Sequence, residues 1–328
     1  MASGDQGCFL FLMFGAVLLF TSVCVVASIS GILLAVFYAT PPSLTPLTPF
    51  QQLVLDRFNI KNFTSANSLD ENTFTLKVDG SHTMVFNVLR ALDKVTEDQL
   101  FAQSAEVLSA NVACCLSSGI YLPLDKPFVV YTNDYPSSTA STAVTHAIAT
   151  WESVIPSLSI FGNYQINIVD TPSNDALLTD TANQIIYNRV YAGFDDVLAI
   201  TWRSFNSRYI TQWNMFINSG TYQIGDVTQV HAGRMYDGES LILHELGHTL
   251  GLNDLTSTSC IQAIMYGYLQ SETQKRTVDV NSKYCLVDLY PDSANLKSLL
   301  DQYSENLNVG DACKVHSLLF YLNPMGKG

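Results

Sequence analysis

The stretch His244-Glu245-Leu246-Gly247-His248-Thr249-Leu250-Gly251-Leu252-Asn253-Asp254 decides how this chain is read. Ile242, Leu243, Leu246 and Leu250 recur at three- and four-residue spacing, which predicts a helix with one apolar face, and Asp237 stands where it can cap the start. Residues four apart lie one above the other on a helix, so His244 and His248 can offer two imidazole nitrogens to one metal ion, with Glu245 flanking the same place. Gly251, one turn beyond His248, can take the left-handed conformation that ends a helix and turns the chain back. That reversal would return Asp254 as a third ligand. Three protein ligands leave one tetrahedral position for a water, which a zinc ion makes acidic enough to attack near neutral pH. The expected roles are ligation by His244, His248 and Asp254, and proton transfer from the water to a leaving amine by Glu245. A bare H-E-x-x-H also arises by chance on surface helices; Gly251 and Asp254 at their offsets, with Met265 downstream, make this one a candidate site.

Working outward, Ala263-Ile264-Met265-Tyr266-Gly267 follows the helix, and the whole set resembles the metzincin clan of zinc metallopeptidases, whose signature is H-E-x-x-H-x-x-G-x-x-H/D followed by a methionine turn. The resemblance implies one catalytic zinc ion and hydrolysis of peptide bonds in an extended polypeptide substrate. It puts Met265 beneath the metal and Tyr266 in the wall of the specificity pocket. Thr142 to Leu158 is similar to the first helix and second strand of matrixin catalytic domains, and Asp279 to Tyr290 to their last helix, so the likeness covers about residues 125–291. By the same likeness Leu198, Ala199 and Ile200 belong to an edge strand, Leu198 to Trp202, that pairs with substrate backbone. Two departures matter. Asp254 stands where matrixins usually carry histidine, as in snapalysin-like members, and no cysteine-switch motif precedes the domain. A catalytically silent metzincin-fold binding module is the alternative reading; an intact Glu245 beside intact ligands counts against it.

The surrounding pattern supplies a scaffold. Phe128 to Tyr131 is an apolar run bounded by turn residues, which reads as a buried strand, and Ser137 to Ser153 carries Ala140, Ala143, Val144, Ala147, Ile148 and Trp151 at helical spacing. Further strands are expected at Leu158 to Phe161, Gln165 to Val169, Val197 to Trp202 and Trp213 to Asn218. The predicted fold is α/β (α+β): a mixed, mostly parallel five-stranded sheet with an active-site helix and a C-terminal helix over residues 125–291, and an extension over 292–328. Residues 51–124 form a pro or accessory region, or a small packing subdomain; Thr73 to Val78 and Thr83 to Val88 alternate like strands, and Leu92 to Leu108 looks helical.

The net charge of -13, with 16 Lys+Arg against 29 Asp+Glu, repels phosphate backbones and excludes nucleic acid as a partner. No charged residue occurs from Cys8 to Thr40, longer than the roughly 20 apolar residues that a bilayer-crossing helix requires. Residues 1–40 are therefore expected to be a transmembrane signal-anchor, with a cleaved signal peptide and a secreted enzyme as the alternative. The Pro-rich segment 41–50 reads as a linker. Cysteine use and the sequon Asn62-Phe63-Thr64 place the rest of a single-pass chain on the extracellular or lumenal side. Beyond the apolar run, Cys260 and Cys285 bracket the methionine turn and form the first-choice disulfide, with Cys313 pairing to Cys114 or Cys115 as the second. Asp195-Asp196 reads as a solvated turn, and calcium is not predicted.

Overall fold

The computed structural model describes residues 46–57, 60, 63–78, 82–94, 114, 116–119, 128–132, 137–156, 160–161, 167–169, 183–187, 194–206 and 209–290. In chain order the elements are α1 (Pro49–Arg57), β1 (Ser65–Ser68), β2 (Thr73–Lys77), β3 (Thr83–Ala91), β4 (Phe128–Thr132), α2 (Ser137–Glu152), β5 (Asn167–Val169), β6 (Asn183–Tyr187), β7 (Val197–Asn206), β8 (Tyr209–Ile217), β9 (Gln223–Gly225), β10 (Met235–Asp237), α3 (Gly238–Thr249), β11 (Tyr268–Leu269) and α4 (Val280–Leu289).

The long strands are rich in β-branched and aromatic residues, and their apolar runs are nearly continuous because both faces of the sheet are covered. Strand order is β1-β2-β3-β7-β8-β6-β4-β5, with β11 added to β3, giving a nine-stranded sheet; β9 and β10 form a separate pair. The sheet is mixed, and its longest ladders, β3 with β7 and β7 with β8, are antiparallel. The mostly parallel, five-stranded sheet expected from the sequence is thus corrected. The parallel half is there, in β8-β6-β4-β5, but β1, β2 and β3 from the region before residue 125 extend the same sheet with antiparallel pairings. Ile160 and Phe161, expected in a strand, lie in a turn.

Side chains alternate between two cores. Val85, Leu89 and Ala91 of β3 join Ala199, Met215 and Ile217 in the core shared with α2, α3 and α4. Phe86 and Val88 join Ile200, Trp202 and Phe216 in the other, which Val54 and Leu55 of α1 cover. Each such side chain contributes about 1.5–3 kcal/mol on burial, so β3 is held from both faces. The helix expected at Ser137 to Ser153 is observed, and its six apolar positions are all buried. Trp151 Nε1 donates to the Leu243 carbonyl at 2.8 Å, fixing α2 against α3 beside His244.

Among the described residues no helix is long and apolar enough to cross a membrane. The single-pass membrane placement is corrected accordingly: no described element supports it, and the Cys8 to Thr40 run on which it rested lies outside the described residues, as do the sequon asparagine and the extension 292–328.

Candidate metal centre

Helix α3 begins where its sequence predicts. The Asp237 carboxylate accepts from Ser240 N at 3.0 Å and from Ser240 Oγ at 2.6 Å, satisfying a donor that the first helical turn leaves free. It ends in a Schellman arrangement: Gly251 N donates to His248 O at 2.9 Å and Leu252 N to Gly247 O at 3.0 Å. Gly251 has φ +102°, which any side chain would strain. The reversed loop is gripped from two sides. Arg203 of β7, fully buried, donates to the carbonyls of His248 and Leu252 and to Asn253 Oδ1, and the segment at 116–118 pairs with it through Asn253 N to Leu116 O and Ser118 N to Gly251 O, both 2.8 Å. Burial pushes the Arg203 guanidinium down to about 10, with Asp254 opposing the shift.

This loop brings Asp254 to the two histidines. Asp254 Oδ1 lies 3.2 Å from His244 Nε2 and 3.4 Å from His248 Nε2, and the two Nε2 atoms are 3.1 Å apart. Ligand atoms on a tetrahedral ion at about 2.0–2.1 Å are separated by about 3.4 Å, so the triangle has the size of such a site. The tautomers agree. His244 Nδ1 faces the Ile264 carbonyl at 2.7 Å and His248 Nδ1 the Leu252 carbonyl at 3.0 Å; a carbonyl only accepts, so each Nδ1 carries the proton and each neutral ring turns its Nε2 lone pair inward. Three acceptors then meet at one point, an arrangement that a shared cation relieves, and among the described residues Asp254 Oδ1 has no hydrogen-bond partner. Burial opposes protonation of His244, yet the Asp254 carboxylate raises its pKa. Burial would likewise raise Asp254, but both histidines hold its carboxyl well below the usual range. The residues therefore fit a divalent ion. His244, Glu245 and His248 form a buried group able to hold one, and the identity of the metal is not fixed by this geometry.

Glu245 sits beside the triangle. Thr201 Oγ1 donates to its Oε2 at 2.5 Å, its Oε1 has no hydrogen-bond partner among the described residues, and burial pushes the Glu245 pKa up to about 8, with His244 and Thr201 acting against the shift. Met265 packs under α3 so closely that a Cβ on Gly247 would come within 2.3 Å of its sulfur. Tyr266 is buried, its ring 5.4 Å from that of Tyr268.

No protein-family model matches the chain, and no curated protein matches it significantly.

The structure brings His244, Glu245, His248 and Asp254 together, with Met265 against Gly247 of the same helix. It differs from expectation elsewhere. Leu198, Ala199 and Ile200 lie on β7, which pairs with β3 on one side and β8 on the other, so they form no free edge for a substrate, and all three are fully buried. Tyr266 is 1% exposed, and His244, Glu245, His248 and Asp254 are each at most 3% exposed. Cys260 is bonded to Cys114 rather than Cys285, with Leu116 and Ser118 hydrogen-bonded to the loop after α3; Cys285 is disulfide-bonded too. Asn87, whose Nδ2 donates to Asp254 Oδ2 at 3.1 Å, and Thr201 and Arg203 join the centre without a motif to announce them. Their one signal is a polar residue inside an otherwise apolar strand.

Proposed function

We propose that this chain is a zinc-dependent metallopeptidase that hydrolyses peptide bonds, with His244, His248 and Asp254 as ligands. The convergence of two inward-facing imidazole nitrogens and an unpartnered carboxylate oxygen carries the reading. The methionine turn at Met265 and the metzincin-like spacing of Gly251 and Asp254 add to it. Zinc, when bound there, would polarise a scissile carbonyl and acidify a water. Glu245 is suited to the proton transfers: Thr201 fixes one carboxylate oxygen, and the other is free to take a proton from the attacking water and return it to the leaving amine.

Two observations favour a second reading. The enclosed ligands and the doubly paired β7 suit a binding module of this fold that holds metal without turnover. Metal content and hydrolysis of a generic peptide, measured on wild type and Glu245→Ala, separate the two. An enzyme loses about 10²- to 10⁴-fold in rate while keeping its zinc; a chain that binds zinc and shows no hydrolysis in either form refutes the peptidase reading.

A further inference from the structure

The two oxygens of Asp254 have different surroundings. Oδ1 faces His244 and His248 Nε2 at 3.2 and 3.4 Å without accepting a hydrogen bond, whereas Oδ2 accepts from Asn87 Nδ2 at 3.1 Å. Asn87 is fully buried on β3, and its same nitrogen donates to Thr73 Oγ1 on β2 at 3.2 Å. Thr73 is held in turn, its N–H donating to Asp70 Oδ1 at 2.6 Å. On the neighbouring strand Asn87 is in register with Thr201, the residue that donates to Glu245. Two adjacent strands thus deliver one donor to a ligand and one to the base.

We propose that Asn87 is a positioning residue of the metal centre, holding Asp254 Oδ2 so that Oδ1 alone turns to the ion. This rests on the reading of His244, His248 and Asp254 as ligands. An amide suits the task. Its two N–H groups serve Thr73 and Asp254 at once, and being neutral it leaves the carboxylate its negative charge for the cation, which a lysine would cancel. A carboxylate free to rotate could offer both oxygens and fill the position that a water needs. Strand β3, far from the H-E-x-x-H helix in sequence, thereby becomes part of the centre.

The test is zinc ion titrated against a chromogenic chelator, on the full chain, for wild type, Asn87→Leu and Thr73→Val. Asn87→Leu is expected to raise the zinc dissociation constant about 10- to 100-fold. Thr73→Val removes the other partner of Asn87 and leaves zinc affinity at the wild-type level, although the metal-free protein unfolds at a lower temperature. Cobalt(II) in place of zinc gives a readout that a merely structural role does not move: Asn87→Leu loses visible absorption intensity as the carboxylate turns and the coordination number rises, and Thr73→Val keeps the wild-type spectrum. Asn87→Thr, whose hydroxyl is too short to reach Asp254, repeats the test should the leucine variant fold poorly. Wild-type zinc affinity and cobalt spectrum in a folded Asn87 variant overturn the assignment alone. A wild-type chain that takes up no zinc overturns the ligand reading and this inference with it.

Discussion

Helix α3 with its return loop and the strand β3 meet at the same carboxylate, yet they relate to the sequence in opposite ways. The helix and loop carry their chemistry within eleven consecutive residues, where spacing alone brings the side chains together. The strand carries it in one residue, Asn87, which reaches the centre only through the register of the sheet. A local motif gathers the candidate ligands, and on the proposed reading a distant residue fixes how Asp254 is held.

The strongest way to break this comparison is to remove the sheet's hold on the loop. Arg203→Leu leaves the carbonyls of His248 and Leu252 and Asn253 Oδ1 without their buried donor, and is expected to destabilise the protein by about 3–5 kcal/mol in chemical denaturation. A loss below about 1 kcal/mol would mean that the loop is self-supporting. Next is Cys260→Ser, which opens a loop closed over a sequence separation of 146 residues; about 2–4 kcal/mol is expected by the same measurement. Gly247→Ala acts within the helix itself: the added methyl meets the Met265 sulfur and, at 3.0 Å, Trp151 Cζ2. A loss of about 1–3 kcal/mol is expected, partly recovered in the double variant with Met265→Ala.

The smallest effect is a pH dependence. Lys275 Nζ donates to the carbonyls of Ile261 and Ala263 at 2.6 and 3.3 Å, and burial pushes its pKa down to about 8 from 10.5. Between those values the unfolded chain binds the proton more firmly than the folded one, so stability rises with pH across that window. Lys275→Met should flatten the rise in denaturant midpoint; an equal rise in the variant assigns it to other groups.

Much of the site was legible because it is local. Asp237, His244, Glu245, His248, Gly251 and Asp254 follow from helical spacing and cap chemistry, and the apolar stripe from Ala140 to Trp151 was equally plain. What the sequence hid is tertiary. Val85 and Phe86 look alike in the chain but face different cores, and nothing in the Leu198 to Ile200 run says that β3 occupies its second edge. The Cys114 to Cys260 pairing was hidden for the same reason, since it depends on where the segment before β4 crosses the ligand loop.

The donor to Asp254 comes from 167 residues upstream, that to Glu245 from 44 and those to the end of α3 from 45 to 50. Contacts of such span close late in folding, after the entropy of bringing remote chain together has been overcome. Ion capture should therefore report completion of the whole β-scaffold: a synthetic peptide of residues 237–256, though it holds every ligand, has no external brace and should bind far more weakly than the intact chain.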